Sequence, residues 1–153
     1  MNRFLNITLV VLLALAVAAC GNDAPDNDRP ANGAAGSAEL TAFELEHGIG
    51  PITEPVDPGP IDPERAARGA EIFEMSCAAC HQMEGRFVGP PLGDVTERRT
   101  PAFVLNMILN PEEMARRHPE GQAMLQEYPV IMPYQNITEE QARDILEYLR
   151  TQE

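Results

Sequence analysis

The most specific pattern in this chain of 153 residues is Cys77-Ala78-Ala79-Cys80-His81. Its C-x-x-C-H spacing is typical of covalent haem attachment, in which two thiols add across the haem vinyl groups and the adjacent histidine ligates iron. Two intervening residues let both sulfurs reach neighbouring vinyl positions, and the next residue can place its imidazole under the iron. The pattern therefore predicts one covalently attached haem c, held by Cys77, Cys80 and His81.

Two other kinds of site also use paired cysteines. A thioredoxin-like dithiol requires a strand before the motif and a βαβ context, and half of a zinc site requires further ligands. Neither context is found, because no convincing alternating strand pattern appears and only His47 and His118 supply further imidazoles. We therefore predict haem rather than a dithiol or zinc.

The second axial ligand is a choice among methionine, histidine and an open site. The methionines downstream of the motif are Met83, Met107, Met114, Met124 and Met132. Met132 differs from the others because Pro129 and Pro133 flank it and disfavour helix, so a rigid loop can hold its side chain. Met107 lies in a helical apolar pattern and is expected in the core. We predict Met132 as the ligand, with His118 and an open site as the alternatives.

The amino terminus has the features of an export signal. Arg3 supplies one positive charge, and the apolar run from Leu9 to Ala19 is too short to span a bilayer. The stretch Val17-Ala18-Ala19-Cys20 resembles the lipobox of bacterial lipoproteins, in which the cysteine becomes the acylated first residue. We predict a signal peptide over 1–19, lipidation of Cys20 and a periplasmic location, with ordinary cleavage as the alternative. Gly21 after the cysteine favours the outer over the inner membrane.

Composition divides the rest of the chain at about residue 60. Small, polar and proline residues without aromatic side chains dominate residues 20–40, which predicts a flexible tether. Residues 41–60 add apolar side chains but also four prolines, so extended segments lying on the domain are expected. We predict a lipidated flexible tether with a Pro-rich end over 20–60 and the folded domain over 61–153.

Helix signals dominate residues 61–153. Asp62 before Pro63 starts one helix, Thr100 before Pro101 a second, and Asn110-Pro111 a short third. A capping box at residues 138–141 precedes the apolar stripe of the last helix. We predict an all-α fold of three to five helices closed around the haem.

The charge balance excludes one class of function. Asp and Glu number 24 against 11 for Lys and Arg, and the formal net charge is −13. A nucleic-acid binder needs a basic face that releases phosphate counterions, so we exclude that class. Every basic residue is arginine. Genome composition, an acidic salt-adapted surface and docking to a basic partner are the competing explanations.

Four stretches between residues 61 and 153 belong to one pattern. They are Arg68-Gly69-Ala70-Glu71-Ile72-Phe73, the motif at 77–81, Val88-Gly89-Pro90-Pro91-Leu92, and Met132-Pro133 before a final helix. Together they resemble a class I monohaem cytochrome c. The resemblance implies that Pro90 offers its carbonyl to the ligating histidine, which fixes the tautomer and raises the basicity of the ring. It also implies that Gly69 and Phe73 pack against the last helix.

Three further stretches narrow the resemblance. They are His47-Gly48-Ile49-Gly50-Pro51, Val95-Thr96-Glu97-Arg98-Arg99-Thr100-Pro101 and Asn106-Met107-Ile108-Leu109-Asn110-Pro111-Glu112-Glu113-Met114. They resemble the tethered cytochromes associated with some bacterial respiratory nitrous oxide reductase systems. A partner inferred from a subfamily is an association, so other periplasmic reductases and oxidases stay open.

These features predict a monomeric electron carrier rather than an enzyme, anchored to the membrane by its lipid. It would exchange one electron with redox partner proteins, a respiratory donor and a reductase or oxidase. Iron saturated by His81 and Met132 has no position for a substrate. The alternatives are a haem-based sensor or small peroxidase with a vacant sixth position, and a structural subunit docked in a respiratory complex.

Several smaller assignments concern single side chains. Arg98 and Arg99 either pair with the haem propionates or are solvated. Tyr134 either hydrogen-bonds a propionate or the methionine sulfur, or is a solvated loop residue. His47 and His118 have glycine or proline beside them and are expected at the surface.

Overall fold

Seven helices and no β-strand make up residues 39–152, the part of the chain described by the structure, a computed structural model. The predicted all-α class is confirmed, and the number of helices exceeds the predicted three to five. The helices are α1 (Ala42–His47), α2 (Pro63–Ser76), α3 (Val95–Arg98), α4 (Pro101–Leu109), α5 (Pro111–Arg117), α6 (Pro119–Glu127) and α7 (Glu139–Arg150).

Local signals start the predicted helices where the sequence places them. The Asp62 carboxylate accepts hydrogen bonds from two N–H groups in the first turn of α2, at 2.9 and 3.1 Å, and Pro63 occupies that turn. The Thr100 hydroxyl caps α4 in the same way. Thr138 and Gln141 form the predicted capping box of α7. Each cap satisfies N–H groups that a helix start otherwise leaves unpaired.

The core is centred on the crossing of α2 and α7. Gly69 makes the close approach possible, because a Cβ there would lie only 1.9 Å from the Asp144 carbonyl oxygen. One turn later, the Phe73 and Tyr148 rings lie 5.3 Å apart between centroids. The expected packing of Gly69 and Phe73 against the last helix is therefore confirmed. Buried apolar residues of this core are Ile52, Phe73, Ala102, Val104, Leu105, Ile108, Ile137, Ala142, Ile145, Leu146 and Leu149.

Residues 41–60 are here called the N-terminal strap. They were predicted to be extended, but part of the strap is helical. Residues 42–47 form α1, which begins with a capping box between Thr41 and Glu44. After α1, Ile49 and Ile52 are buried, at 5% and 7% exposure. The strap and residues 61–152 belong to one compact unit. The predicted boundary at residue 61 is therefore wrong, because apolar residues of the strap belong to the folded domain.

Side chains of α4 and α5 hold the strap by its backbone. Asn106 is fully buried in α4, accepts the Ile52 N–H at 3.0 Å, and donates to three strap carbonyls at 3.0–3.3 Å. Gly50 passes so close that a Cβ would lie 2.3 Å from the Asn106 amide oxygen. The Met114 sulfur accepts the Ile49 N–H at 3.0 Å. The strap is thus fixed by hydrogen bonds as well as by apolar burial.

The two histidines predicted at the surface are largely buried, so those predictions are wrong. His118 is 1% exposed, and its Nε2 donates to two carbonyls of α1 at 3.1 and 3.3 Å while its Nδ1 accepts the Glu120 N–H. His47 ends α1 with a side chain 13% exposed, and its Nδ1 hydrogen-bonds the Thr100 hydroxyl at 2.9 Å. The strap causes the difference, because it covers His118 and carries His47 against α4.

Within residues 39–152, no helix has the length and apolar character needed to cross a membrane. The predictions of a signal peptide over 1–19, of lipidation at Cys20 and of a tether up to residue 38 lie outside the described residues.

Candidate functional site

The C-x-x-C-H stretch forms a tight turn directly after α2. Cys77 is the C-cap of that helix, and its N–H donates to the Phe73 carbonyl at 2.8 Å. The Cys77 carbonyl accepts the N–H groups of Cys80 and His81 at 3.0 and 2.9 Å. The side chains of all three motif residues line one cavity. The turn therefore presents two thiols and an imidazole to the same space.

The His81 ring is oriented by the loop that follows it. Its Nδ1 donates to the Pro90 carbonyl at 2.9 Å, and a carbonyl oxygen can only accept, so Nδ1 carries the proton. The Gly89 N–H donates to the Cys80 carbonyl at 2.8 Å, which fixes this loop beside the motif. A Cβ at Gly89 would lie 2.5 Å from His81 Cε1, so the ring fills the space left by the missing side chain. Nε2 is left with the lone pair that a metal ligand requires.

The cavity lined by these residues has a volume of about 460 Å³ and extends to Met132. Cofactor sites typically enclose about 300–1,000 Å³ and combine apolar walls with a few placed polar groups. Met132 lies in the segment between α6 and α7, which has no regular secondary structure. Apolar lining residues contributed by α4, α6 and α7 include Phe103, Val104, Met107, Ile108, Met124, Ile145 and Leu149.

The other candidates for the second ligand are differently placed. His118 lies outside the cavity, and both of its ring nitrogens are hydrogen-bonded to backbone groups. The Met114 sulfur is engaged by the strap. Met107 and Met124 do line the cavity, but from helices α4 and α6. Met132 is the cavity methionine that a loop carries.

The arginines considered for the propionates line the cavity but already have protein partners. Arg98 donates to two backbone carbonyls within residues 91–93, at 3.3 and 3.1 Å. Arg99 pairs with Glu120 of α6. The Tyr134 hydroxyl donates to a backbone carbonyl within its own loop, at 3.2 Å. These contacts give all three side chains a structural role whether or not a propionate also binds them.

The two thiols differ in environment. Burial, with a smaller contribution from the neighbouring Cys80, raises the pKa of the Cys77 thiol to about 11. Cys80 is exposed. Within residues 39–152, no group of three or more His, Cys, Asp or Glu side chains is arranged to hold a metal ion. The zinc alternative therefore lacks the ligands that a structural zinc site requires.

Some cavity residues escape sequence reasoning. The role of Gly89 depends on the position of the His81 ring, which composition and periodicity do not reveal. Met124 and Tyr128 line the cavity because α6 passes beside it. Tyr128 directly follows the last residue of α6 in an extended backbone conformation, so helical periodicity does not indicate its place at the cavity.

The described residues fit a covalently attached haem. Two thiols lie at the wall of a cavity of suitable size, and the adjacent imidazole is held with one nitrogen committed to a carbonyl. Haem c supplies a one-electron Fe(III)/Fe(II) couple when bound. The tasks left to the chain are to attach the group, to orient its ligands and to exclude water.

Comparison with known proteins finds similar sequences and structures among cytochromes c. The curated relative "Cytochrome c-553-like" of Synechocystis sp. is 34% identical over an alignment of 64 residues, and the match covers 33% of this chain and 60% of the length of that protein. A cytochrome c from Rhodothermus marinus is 44% identical, with a TM-score of 0.67, over 71% of this chain and 94% of the solved chain. An engineered cytochrome c from the same organism is 42% identical, also with a TM-score of 0.67, over 71% and 95%.

The family model described as Cytochrome c matches residues 66–153, which is more than half of the chain. This range contains the attachment motif, Pro90 and Met132. The match confirms the predicted haem c and the predicted electron-carrying rather than enzymatic role, because both are properties of the family. The chain belongs to the cytochrome c family and is an electron-transfer protein with covalently bound haem c.

Proposed function

We propose that the chain is a membrane-tethered electron carrier of the periplasm, with His81 and Met132 as axial ligands and Cys77 and Cys80 as attachment points. The observation that carries the ligand assignment is that these four side chains line one cavity. Pro90 takes the supporting role, because its carbonyl accepts the His81 Nδ1–H at 2.9 Å. Both axial positions are then filled by protein groups, which suits electron transfer without a bound substrate.

The ligands and the cavity both bear on the redox potential. Thioether ligation favours the reduced iron and raises the potential, as does a dry, apolar pocket. The net charge of −13 opposes this by favouring the oxidised form. Surface charges are screened by salt, so the ligand contribution outweighs them and we expect a positive midpoint potential.

The anchor and location are supported by the sequence. Val17-Ala18-Ala19-Cys20 resembles a lipobox, and the short apolar run before it resembles an exported signal. Covalent haem attachment outside the cytoplasm is consistent with export, and Gly21 after the cysteine favours the outer membrane. We expect a Cys20→Ala variant to lose incorporation of labelled fatty acid and to leave the membrane fraction. Unchanged labelling and fractionation would contradict the anchor.

The proposed partner is a respiratory reductase or oxidase, with nitrous oxide reductase as the specific candidate. Two of the three stretches that resemble this subfamily, at 47–51 and 106–114, contact each other through Asn106 and Met114. The packing of the strap against α4 and α5 is therefore a structural role for these two stretches. The proposal of nitrous oxide reductase as the partner rests on the resemblance alone. Mixing the reduced protein with purified nitrous oxide reductase should give rapid reoxidation with turnover. Rapid reoxidation only by an oxidase would reassign the partner.

The ligand assignment is tested by absorption spectra of the haem-loaded full chain, both oxidised and dithionite-reduced. We expect the weak long-wavelength band of the oxidised form that reports methionine–iron charge transfer, and we expect Met132→Ala to abolish it. Met114→Leu is the matched control, because that sulfur faces the strap and not the cavity. Absence of the band, together with ready carbon monoxide binding by the reduced protein, would instead favour the sensor or peroxidase.

A further inference from the structure

Arg86 connects two loops that flank the haem cavity. It lies in the motif loop, defined here as residues 82–89, between His81 and Pro90. Its Nη2 donates to the Glu127 backbone carbonyl, and its guanidinium carbon lies 4.4 Å from the centroid of the Tyr128 ring. Those two residues end α6 and begin the methionine loop, defined here as residues 128–138, which carries Met132. A single side chain thus joins the loop after one proposed ligand to the loop that carries the other.

The methionine loop has mainly local hydrogen bonds. Hydrogen bonds in its middle are local, from Val130 N–H to the Tyr128 carbonyl at 2.7 Å and from the Gln135 amide to the Pro133 carbonyl at 3.2 Å. Its far end is anchored in the core by Ile137, which is 5% exposed. The end before Met132 is joined to the rest of the cavity rim by Arg86.

Arg86 follows a glycine with a left-handed backbone conformation. Gly85 has a φ of +74°, a left-handed conformation that disfavours residues with a Cβ. Arg86 follows immediately and is half-exposed, whereas Tyr128 is buried at 9% exposure. The guanidinium therefore covers a buried ring that itself lines the cavity.

We propose that Arg86 is a positioning residue that holds the methionine loop closed and so limits the access of outside ligands to the haem iron. The proposal rests on the proposed function, in which Met132 is the axial ligand. For an outside base such as imidazole to bind, the iron–sulfur bond must break and an iron–nitrogen bond must form, with no change in oxidation state. Loosening the loop raises the fraction of molecules in which Met132 is displaced, and apparent affinity rises with that fraction.

The backbone and ring contacts carry this effect more than the ion pair does. Arg86 Nη1 lies 3.4 Å from the Glu127 carboxylate, and both side chains are more than half exposed. Exposed ion pairs of this kind contribute little. By contrast, the Glu127 carbonyl and the Tyr128 ring are fixed at the end of α6. Glu127→Gln, which keeps both contacts, is therefore expected to behave like the unaltered protein.

The experiment is an imidazole titration of the oxidised, haem-loaded full chain, followed through its absorption spectrum. Loss of one hydrogen bond and one cation–π contact leads us to expect about tenfold tighter apparent binding in Arg86→Ala. Arg86→Lys, which keeps the charge but not the planar stacking, should lie between this variant and the unaltered protein. Arg116→Ala is the matched control, because it removes another arginine that is more than half exposed and is paired with Glu112 in α5.

The outcomes separate this proposal from the assignment of Met132. If the unaltered protein lacks the methionine–iron band, the proposed function fails before Arg86 is tested. If the band is present but Arg86→Ala and Arg86→Lys bind imidazole as the unaltered protein does, the proposed role of Arg86 is overturned and the assignment of Met132 as ligand stands. Equal tightening in Arg116→Ala would also overturn it. Should Arg86→Ala fail to load haem, Arg86→Lys carries the comparison.

Discussion

His81 is held from two sides, and this arrangement determines what the ring can do. On one side the Pro90 carbonyl accepts the Nδ1–H at 2.9 Å, and on the other Gly89 leaves room for the ring. A hydrogen bond to a fixed carbonyl makes the imidazole a better electron donor through Nε2. The loop nine residues along the chain therefore sets both the direction and the basicity of the proposed ligand.

Gly89→Ala tests this support directly. The new Cβ would lie 2.5 Å from His81 Cε1 and 2.9 Å from Nδ1, so the ring or the loop must move. We expect a lower yield of haem-loaded protein and a stability loss of about 1–3 kcal/mol, typical of an overpacked site. The measurements are the ratio of haem to protein absorbance and urea unfolding.

Gly59→Ala is the control for that substitution. Gly59 has a positive φ of +66°, unlike Gly89, but nothing lies within 4 Å of a Cβ placed there. It should carry a modest backbone cost and leave the haem spectrum unchanged. Equal spectra and equal stability in both variants would show that the loop yields freely and does not position the ring.

Residue roles could be predicted where they depend on neighbours in sequence. The attachment residues follow from five consecutive positions, because one backbone turn brings Cys77, Cys80 and His81 together. Asn106 and His118 bond backbone groups that lie 54 and 74 residues away, so their burial is a tertiary property. A histidine before a proline has the local signature of a surface residue, and only the strap reverses it.

At the level of elements, the α2–α7 crossing carries a buried charge cluster beside its apolar core. The Asp144 side chain is 5% exposed and pairs with Arg65 at 2.8 Å and Arg68 at 3.0 Å. Burial alone would raise the pKa of Asp144, but the hydrogen bonds from Arg68 and Arg65 outweigh it and hold the pKa below its usual range. The two helices are thus joined by charge as well as by close packing at Gly69.

Asp144→Asn should therefore destabilise the protein in a pH-dependent way. Because the folded pKa is lowered, the carboxylate contributes fully above its unfolded pKa of about 3.9 and loses its contribution as the pH falls through the folded value. We expect a loss of about 2 kcal/mol at pH 7, which is below the usual cost of breaking a fully buried ion pair because both arginines are partly exposed and can rehydrate. Urea unfolding at neutral and acidic pH measures the difference, which should shrink below about pH 4. A difference independent of pH would contradict the ionic contribution.

The hydrogen bonds between Asn106 and the strap can be tested by a substitution. Asn106→Ala would leave the Ile52 N–H and three strap carbonyls without their buried partner. Unsatisfied buried groups are costly, so we expect a stability loss of about 3 kcal/mol in urea unfolding. Gln126→Ala, on the exposed face of α6, is the control and should change stability by less than about 0.5 kcal/mol. A loss as small as that in Asn106→Ala would mean that the strap is held by apolar burial alone.

Elements with strong start signals were predictable, and those dependent on packing were not. The starts of α2, α4, α5 and α7 follow from proline and capping residues. The capping box of α1 is equally local, but four prolines downstream in the strap favour an extended interpretation. The four residues of α3 give too short a pattern to detect by periodicity. The helix in the strap and the burial of its apolar residues both depend on packing against α4 and α5, which local sequence does not reveal.

For the molecule as a whole, composition predicts the net charge, and the structure shows which charged side chains are paired. Each arginine within residues 39–152 takes part in an ion pair. The net negative charge therefore comes from the carboxylates that outnumber these arginines. The haem-centred helical fold was predictable because one motif fixes the cofactor. The extent of the domain was not, because the composition of the strap resembles that of a linker.

The stability of the whole chain should depend on salt with a sign that identifies the dominant charge effect. Salt weakens exposed ion pairs, which lowers stability, but it also screens the repulsion among 24 acidic residues opposed by only 11 basic ones. Exposed pairs are worth only about 0.3–0.5 kcal/mol each even when they are four residues apart on a helix, so we expect screening of repulsion to prevail. The Tm at pH 7 should then rise by about 4 °C or more between about 0.05 and 0.5 M NaCl. Near the pI of about 4.5, where the net charge vanishes, the same series should be nearly flat. A flat or falling series at pH 7 would show that the ion pairs, and not the excess carboxylates, dominate the electrostatic contribution to folding.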